Sequence, residues 1–291
     1  MSGRPTRRGR PLLVLAALGL AAAALAVPAT SGAFSAGVTD AASTAKAASR
    51  FTCANAFAAT SNRTNAYFEY QLTQNFATAN DSSTSANTGN LQPGGAHPVG
   101  TADATTACPN DTGGPYYYAP NGTTNWISTT SSVGASPATF SLAAWLRTTA
   151  AGGYVIGLNA AQDVTSSVYD RHVYIDTAGR PVFGTYSGVA QVVTGPSPVN
   201  DGRWHQVVAT FSGATGMALW VDGAKVAANA TYTTAEADTG WWSIGYGKLS
   251  GWPAAPASTY FSGGLRFVAA YKVVLSDPEI AAQYGNGVPG P

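Results

Sequence analysis

The residues that could do chemistry are few and widely spaced in this chain of 291 residues. Of its three histidines, His97 lies in a Gly/Pro segment, and His172 and His205 lie in stretches of alternating polarity. No Gly-x-Ser-x-Gly or His-Glu-x-x-His motif is present, so neither an activated serine nor a two-histidine zinc helix is indicated. We therefore expect structural histidines and predict no nucleophilic catalysis.

The N-terminal segment has the layout of an export signal. Four arginines precede an apolar run over residues 12–27, and the small residues Ser31 and Ala33 follow it. We predict a signal peptide over residues 1–33, of Ala-rich bacterial type, and a flexible Ala/Ser/Thr-rich linker over residues 34–50. The protein is then secreted and extracellular, or associated with the cell surface. A retained membrane anchor is the alternative, but the run is short for a hydrocarbon core of about 30 Å.

The two cysteines, Cys53 and Cys108, both follow the predicted signal peptide. In an oxidising compartment one disulfide is the default, and a loop of this length stabilises a fold by about 3–4.7 kcal/mol in chain-entropy estimates. Two reduced core thiols are the alternative. Because no histidine pair lies nearby, the cysteines do not indicate a zinc site.

Charged residues make up only 10% of the chain, and aromatic residues make up 11%. Low charge with many aromatic residues argues against disorder, and 15 basic against 14 acidic residues leave no basic surface for nucleic acid. Loss of the four leader arginines changes the net charge from +1 to about −3, which removes a polybasic contact with membranes. We expect no nucleic-acid partner and no stable membrane insertion after leader cleavage.

Alternating polarity predicts strands along most of the remaining chain. In residues 140–147 (FSLAAWLR), every second residue from position 140 onward is apolar, which places these residues on one face of a strand. Asp222-Gly223, between MALWV and AKVAA, predicts a hairpin with a type I′ turn. Similar strand segments are predicted at 154–158, 168–176, 181–186, 191–194, 204–211, 217–222, 224–228, 241–245 and 260–272.

One segment only is predicted to be helical. Ser276-Asp277-Pro278-Glu279 has the pattern of a capping box, in which Ser276 and Glu279 bond each other's backbone amides. Gly285 is the expected stop. The C-terminal region therefore predicts one short helical turn.

A resemblance to a known family rests on five segments: FSLAAWLR, VYIDTAGRPVFG, NDGRWHQVVATFSGATGMALWVDGAKVA, WWSIGYG and YFSGGLRFVAAYKVVLSDPEIAAQYG. Together they resemble a laminin-G-like (LamG) domain of the concanavalin A-like lectin/glucanase superfamily, most strongly over residues 137–287. The resemblance implies an all-β antiparallel β-sandwich, a concanavalin A-like jelly roll, over residues 51–290. In that fold a Cys53–Cys108 bond would hold the first strands to the long loop after them.

The superfamily includes glycosidases, and they share a Glu-x-Asp-x-x-Glu strand because retaining hydrolysis needs two carboxyl groups about 5 Å apart. Glu69, Glu236 and Glu279 are the only glutamates of this chain, and none of them stands in that motif. We therefore predict that the protein is not an enzyme.

Calcium is the one cofactor that the resemblance implies. Asp81 and Asn87 match the family's early Asp loop and are candidate calcium ligands. Arg266 stands where the family has a late aspartate, and a cation there would repel a divalent ion.

Aromatic residues are the candidate ligand contacts, because the C–H faces of sugars stack on aromatic rings. Three consecutive tyrosines lie in a predicted Gly/Pro/Asn loop, one tryptophan lies between glycine and proline, and of two adjacent strand tryptophans one must point outward. The alternative is that these rings pack in the core. The candidate ligand-binding residues are Tyr116, Tyr117, Tyr118, Trp242 and Trp252.

These features favour a secreted, non-catalytic module that binds carbohydrate, cell-envelope polysaccharide or extracellular-matrix surfaces. A structural or matrix protein that acts through contacts with an extracellular protein is the alternative. A glycoside hydrolase with an unrecognised site is the third hypothesis.

Overall fold

The computed structural model describes residues 52–59, 63–75, 78–111, 114–135 and 137–288, and the predicted signal peptide and linker lie outside these ranges. The described residues all belong to one compact unit. Its helical elements are α1 (Cys53–Ala59), a short 3-10 turn (Arg63–Asn65) and α2 (Asp277–Gly287). Within the described ranges, a helix with the length and apolarity to cross a bilayer is not found.

Strands are the main regular element of the unit and vary from two to nine residues in length. In chain order they are β1 (Ala66–Tyr70), β2 (Thr78–Ala79), β3 (Gly89–Gln92), β4 (Val99–Thr101), β5 (Tyr116–Tyr118), β6 (Trp126–Thr129), β7 (Thr139–Arg147), β8 (Gly153–Asn159), β9 (Tyr169–Ile175), β10 (Pro181–Tyr186), β11 (Ala190–Thr194), β12 (Trp204–Ser212), β13 (Gly216–Val221), β14 (Ala224–Asn229), β15 (Trp241–Ile244) and β16 (Gly264–Tyr271).

The strands form two antiparallel sheets that pack face to face. The first sheet has the order β14-β13-β12-β7-β16-β5-β4, and β1 also pairs with β16. The second sheet has the order β11-β10-β9-β8-β15-β6-β3-β2. The predicted all-β antiparallel sandwich is thus confirmed.

The main core fills the space between the two sheets. On β7, Phe140, Leu142, Ala144 and Leu146 point into it, as the alternating pattern predicted. The other face of β7 is also buried, because α1, α2 and the loop that ends at Cys108 cover it and pack on Trp145 and its neighbours. The covered part of the first sheet is therefore apolar on both faces.

The local turn and helix signals hold, with two corrections. Asp222 and Gly223 both have positive φ, 52° and 75°, as the predicted hairpin turn requires. The Glu279 carboxylate accepts hydrogen bonds from the amide and hydroxyl of Ser276, both at 2.8 Å. However, the helix does not stop at Gly285: it runs to Gly287, which fits against the Trp145 ring so closely that a Cβ would lie 2.4 Å from it.

The second correction is α1, which the sequence did not predict. Asp111 accepts hydrogen bonds from the amides of Cys53 (2.8 Å) and Ala54 (2.9 Å) in the first turn of this helix. A carboxylate at that end satisfies amides that have no partner within the helix. The helix therefore depends on a residue almost sixty positions away, which no local pattern could reveal.

Candidate functional site

The five predicted ligand-binding residues lie in separate places. Tyr118 and Trp242 are fully buried in the core between the sheets, and the Tyr118 hydroxyl bonds the His97 ring at 3.1 Å. Neither ring is accessible to a ligand there. The three tyrosines also form β5 rather than a loop, so their alternation in a strand turns Tyr118 inward.

Tyr117 lies on the outer face of the first sheet. Its hydroxyl accepts a hydrogen bond from Arg147 at 2.6 Å, and its ring meets Trp204 edge-on at 5.3 Å between centroids. The half-buried Tyr117 is thus fixed in an Arg–aromatic stack. Tyr116, at the start of the same strand, is also half-buried.

Trp252 lies on the outer face of the second sheet, where it lines a groove of about 360 Å³. That volume is within the range of small-molecule sites. We call this the aromatic groove, and define it by the residues that line it: Ser167, Val168, Tyr169, Tyr186, Ala190, Glu236, Ser250, Gly251 and Trp252.

The Trp252 ring is held in place from below. It lies on Gly184 of β10, where a Cβ would be 2.5 Å from the ring, and it meets the His172 ring edge-on at 4.0 Å between centroids. Burial lowers the pKa of His172 to about 3, so this histidine is neutral near pH 7 and packs as an apolar ring. Trp252 is 7% exposed and forms the base of the groove.

Tyr169 and Tyr186 provide half-buried rings beside Trp252. They begin β9 and end β10, and because these neighbouring strands are antiparallel, the two residues lie at the same end of the sheet. The Tyr169 hydroxyl donates to the Ser250 carbonyl at 2.9 Å, and the Tyr186 hydroxyl donates to the Gly188 carbonyl at 2.9 Å. These bonds fix both rings.

Three carboxyl groups meet beside the groove: the oxygens of Asp170, Glu236 and Asp238 lie within 4.8 Å of one another. Asp170 forms a buried ion pair with Arg171, which also donates to the carbonyl of Glu236 at 2.5 Å. Burial raises the pKa of Asp170, and the guanidinium of Arg171 opposes that rise. Burial, and then the Asp238 carboxylate, raise the pKa of Glu236.

Of these three carboxyl groups, that of Glu236 is the one that lines the groove. Asp170 is 1% exposed and accepts the amides of Arg171 and Tyr186, so it is part of the fold. Glu236 lines the groove directly. Aromatic rings with one carboxyl group and serine hydroxyls can stack and hydrogen-bond a polar ring such as a sugar.

Tyr169 and Tyr186 were not predicted as site residues, and Glu236 was not a candidate because it does not stand in the glycosidase motif. The signal that could have identified the tyrosines is their position at the ends of two strands joined by a short turn. Nothing local in the sequence places the segment around Glu236 against β9, because Arg171 makes that connection across 65 positions.

The predicted calcium ligands organise a loop. Asp81 accepts the amides of Glu69 (2.8 Å), Ser83 (2.8 Å) and Asn87 (2.7 Å), and the Asn87 side-chain oxygen accepts the amide of Ser131 at 2.9 Å. In this structure these oxygens accept hydrogen bonds from the protein. Calcium binding stays a prediction, to be tested by calorimetry.

The predicted disulfide is confirmed: Cys53 and Cys108 are bonded, and it joins α1 to the loop that follows β4. Arg266 lies beneath that loop and is 1% exposed. Its guanidinium donates to the carbonyls of Ala107 (2.6 Å) and Cys108 (3.2 Å). A protein cation therefore occupies a nest of carbonyl oxygens.

On the first sheet, His205 lies between two carboxylates. Its Nδ1 lies 2.7 Å from Asp222, and its Nε2 lies 3.0 Å from Asp201. Burial alone would lower the pKa of His205, but the two carboxylates raise it overall. The histidine connects the hairpin turn to the loop before β12.

Among solved structures, the fold resembles the binding domains of botulinum neurotoxins. The binding domain of neurotoxin DC in complex with rat synaptotagmin II has a TM-score of 0.53 and 12% identity, over 77% of this chain and 52% of that one. A neurotoxin type C structure, described as interacting with two ganglioside molecules, has a TM-score of 0.52 and 13% identity, over 76% and 51%. The DC domain in complex with SialylT has a TM-score of 0.51 and 11% identity, over 76% and 51%.

The chain thus spans about half the length of these toxin chains. At identities this low, the structural similarity shows a shared fold alone. A search of curated protein sequences finds no match. A family model, Laminin_G_3, described as concanavalin A-like lectin/glucanases superfamily, matches residues 121–281, more than half of the chain. The two-sheet sandwich agrees with this match, and the chain belongs to the Laminin_G_3 family of the concanavalin A-like lectin/glucanases superfamily.

Proposed function

We propose that this protein is a non-catalytic module that binds carbohydrate in the aromatic groove. The observation that carries the proposal is the groove itself, in which Tyr169, Tyr186 and Trp252 lie together with Glu236. Aromatic rings take the C–H faces of a sugar, and the carboxyl group and serine hydroxyls take its hydroxyl groups.

The shared fold supports the class of ligand. Structures with this fold include neurotoxin binding domains described with SialylT or with two ganglioside molecules. These proteins, of which this chain matches about half the length, are thus described with glycan-type ligands. The position of the groove in this chain rests on its own residues.

A glycan array followed by equilibrium titration tests the proposal. The first variant is Tyr186→Ala, because Tyr186 is half-buried at the end of its strand, and the second is Trp252→Phe, which keeps a ring over Gly184. Loss of one stacked ring should weaken binding of an array-identified glycan about tenfold, the upper end of what an aromatic contact contributes.

Tyr117→Ala is the matched control, since Tyr117 is a half-buried tyrosine on the other sheet. It should leave glycan affinity unchanged, and the melting temperature of each variant checks that the fold is kept. An array without a bound glycan would overturn the proposed function. Binding that Tyr117→Ala abolishes and Tyr186→Ala leaves intact would overturn the proposed site.

We further propose that the module is exported. The arginine-rich start with its apolar run is the motivation, and the Cys53–Cys108 disulfide supports it, because disulfides persist in oxidising compartments. Expression with residues 1–33 present should release protein that begins at Phe34, as determined by N-terminal sequencing of the medium. Protein retained in the cell with Met1 intact would contradict this.

A further inference from the structure

We infer that the aromatic groove prefers sugars that carry a protonated amine over neutral sugars with the same backbone, and that Glu236 determines this preference. The inference rests on the proposed function. Among the described residues that line the groove, Glu236 is the only charged one. A ligand that stacks on the tyrosine rings therefore meets one negative group and no positive group in the lining.

The surroundings of Glu236 are also negative. The guanidinium of Arg171, the nearest cation, is buried and paired with Asp170, and it donates to the carbonyls of Pro137 (2.9 Å) and Glu236 (2.5 Å). Its charge is balanced by Asp170. The carboxyl groups of Glu236 and Asp238 interact with each other, and this acidic pair lies on the same side of the groove.

Glu236 and Asp238 are close enough to repel each other when both are ionised. That repulsion, after burial, raises the pKa of Glu236. A cation placed beside the pair removes the repulsion and favours the ionised form, so an ammonium group gains more here than at a single exposed carboxylate. A neutral hydroxyl group gains only an ordinary hydrogen bond.

The aromatic rings explain why the cation should be part of a sugar. Glu236, Tyr169, Tyr186 and Trp252 line the same groove, so a ring that stacks on the aromatic residues can present a substituent to the carboxyl group. Glu236 would repel a negatively charged glycan. The groove therefore suits an oligosaccharide of amino sugars with free amines.

Three β-1,4-linked tetrasaccharides that differ only at C2 test this: one with free amines (glucosamine), one with acetylated amines (N-acetylglucosamine) and one with hydroxyl groups (glucose). Isothermal titration at pH 6 with EDTA present excludes a metal bridge. The glucosamine tetramer should bind about fivefold more tightly than the other two, the upper end for a partly exposed ion pair. Raising the salt concentration should reduce that preference.

The variant Glu236→Gln should abolish the preference, so that the three tetramers bind it with equal affinity, because a neutral amide does not form an ion pair with an ammonium group. The matched control is Asp277→Asn, which removes one charge from an exposed residue on α2, over the other sheet, and should keep the preference. Equal or weaker binding of the glucosamine tetramer, or a preference that survives Glu236→Gln, would overturn the inference. If the glycan array shows binding of other sugars, the proposed function stands even when this inference fails.

Discussion

Replacing Arg266 by methionine should destabilise the protein by about 3–5 kcal/mol, which is the cost of removing one partner of a buried charged interaction. The change removes the guanidinium and keeps the length of the aliphatic side chain. Arg266 is 1% exposed, so water does not replace what is lost. Burial lowers the pKa of Arg266, and the nearby Asp111 carboxylate opposes that effect.

The magnitude follows from the contacts. The guanidinium donates to the carbonyls of Ala107 at 2.6 Å and Cys108 at 3.2 Å, and each hydrogen bond with a charged partner contributes about 1.5–3 kcal/mol. Its loss also leaves the buried Asp111 without a nearby positive charge while it holds the amides of α1. Methionine recovers part of the loss through apolar packing, which gives the range of about 3–5 kcal/mol.

Urea unfolding followed by tryptophan fluorescence measures this effect, and a thermal melt should show a decrease of about 10 °C for a domain of this size. Arg203→Met is the control, because the Arg203 side chain is 84% exposed and should contribute little. A double-mutant cycle with Asp111→Asn should give a coupling energy well above zero. An Arg266→Met protein whose unfolding free energy lies within about 1 kcal/mol of wild type would refute the reasoning.

Two further predictions concern His205 and the base of the groove. Because Asp222 and Asp201 raise the folded-state pKa of His205 above its ordinary value of 6.5, its stabilisation is complete below that value and is lost as the pH rises through the folded pKa. The difference in unfolding free energy between wild type and His205→Gln should therefore shrink from pH 6 to pH 8. A difference that grows over this range would contradict the ion pairs. The other two histidines, whose pKa values are lowered, are present in both proteins, so their effects cancel in this comparison. Gly184→Ala places a Cβ 2.5 Å from the Trp252 ring, so it should lower the free energy of unfolding by about 1–3 kcal/mol. It should also shift the tryptophan emission and abolish glycan binding. Unchanged emission would show that the Trp252 ring does not lie on Gly184.

Gly184→Ala has a matched glycine control elsewhere in the chain. A Cβ at Gly134 would have no neighbouring atom within 4 Å, and the φ of Gly134 lies outside the left-handed region, so Gly134→Ala should leave both stability and emission unchanged. The pH comparison is best made at fixed ionic strength, because exposed ion pairs weaken with salt.

The sequence predicted the elements whose determinants are local. The period of two in residues 140–147 predicted a strand, and the Asp222-Gly223 turn and the Ser276–Glu279 pair predicted a hairpin and a helix start. Each of these depends on side chains within a few residues of one another. The alternation could not say that both faces of β7 would be buried, since that depends on α1 and α2 packing over it.

The aromatic groove could not be predicted from the sequence for the same reason, because it depends on contacts between distant segments. Trp252 was recognised as a loop ring, but its partners come from three other segments, and only the pairing of β9 with β10 brings Tyr169 and Tyr186 beside it. Conversely, Tyr118 and Trp242 looked available because a run of tyrosines and a pair of tryptophans do not indicate which ring faces inward. Burial of a strand residue is decided by the opposite sheet, which lies far away in sequence.

The position of β16 has a consequence for how the chain folds. This strand pairs with β7 along one edge and with β1 and β5 along the other, yet it follows all the other described strands in chain order. Until residues 264–271 emerge from the ribosome, three earlier strands have unpaired edges, and contacts this distant in sequence form slowly. The first sheet is therefore completed only once residues 264–271 are available, and a chain that ends before Gly264 should aggregate through those edges rather than persist as a partial domain.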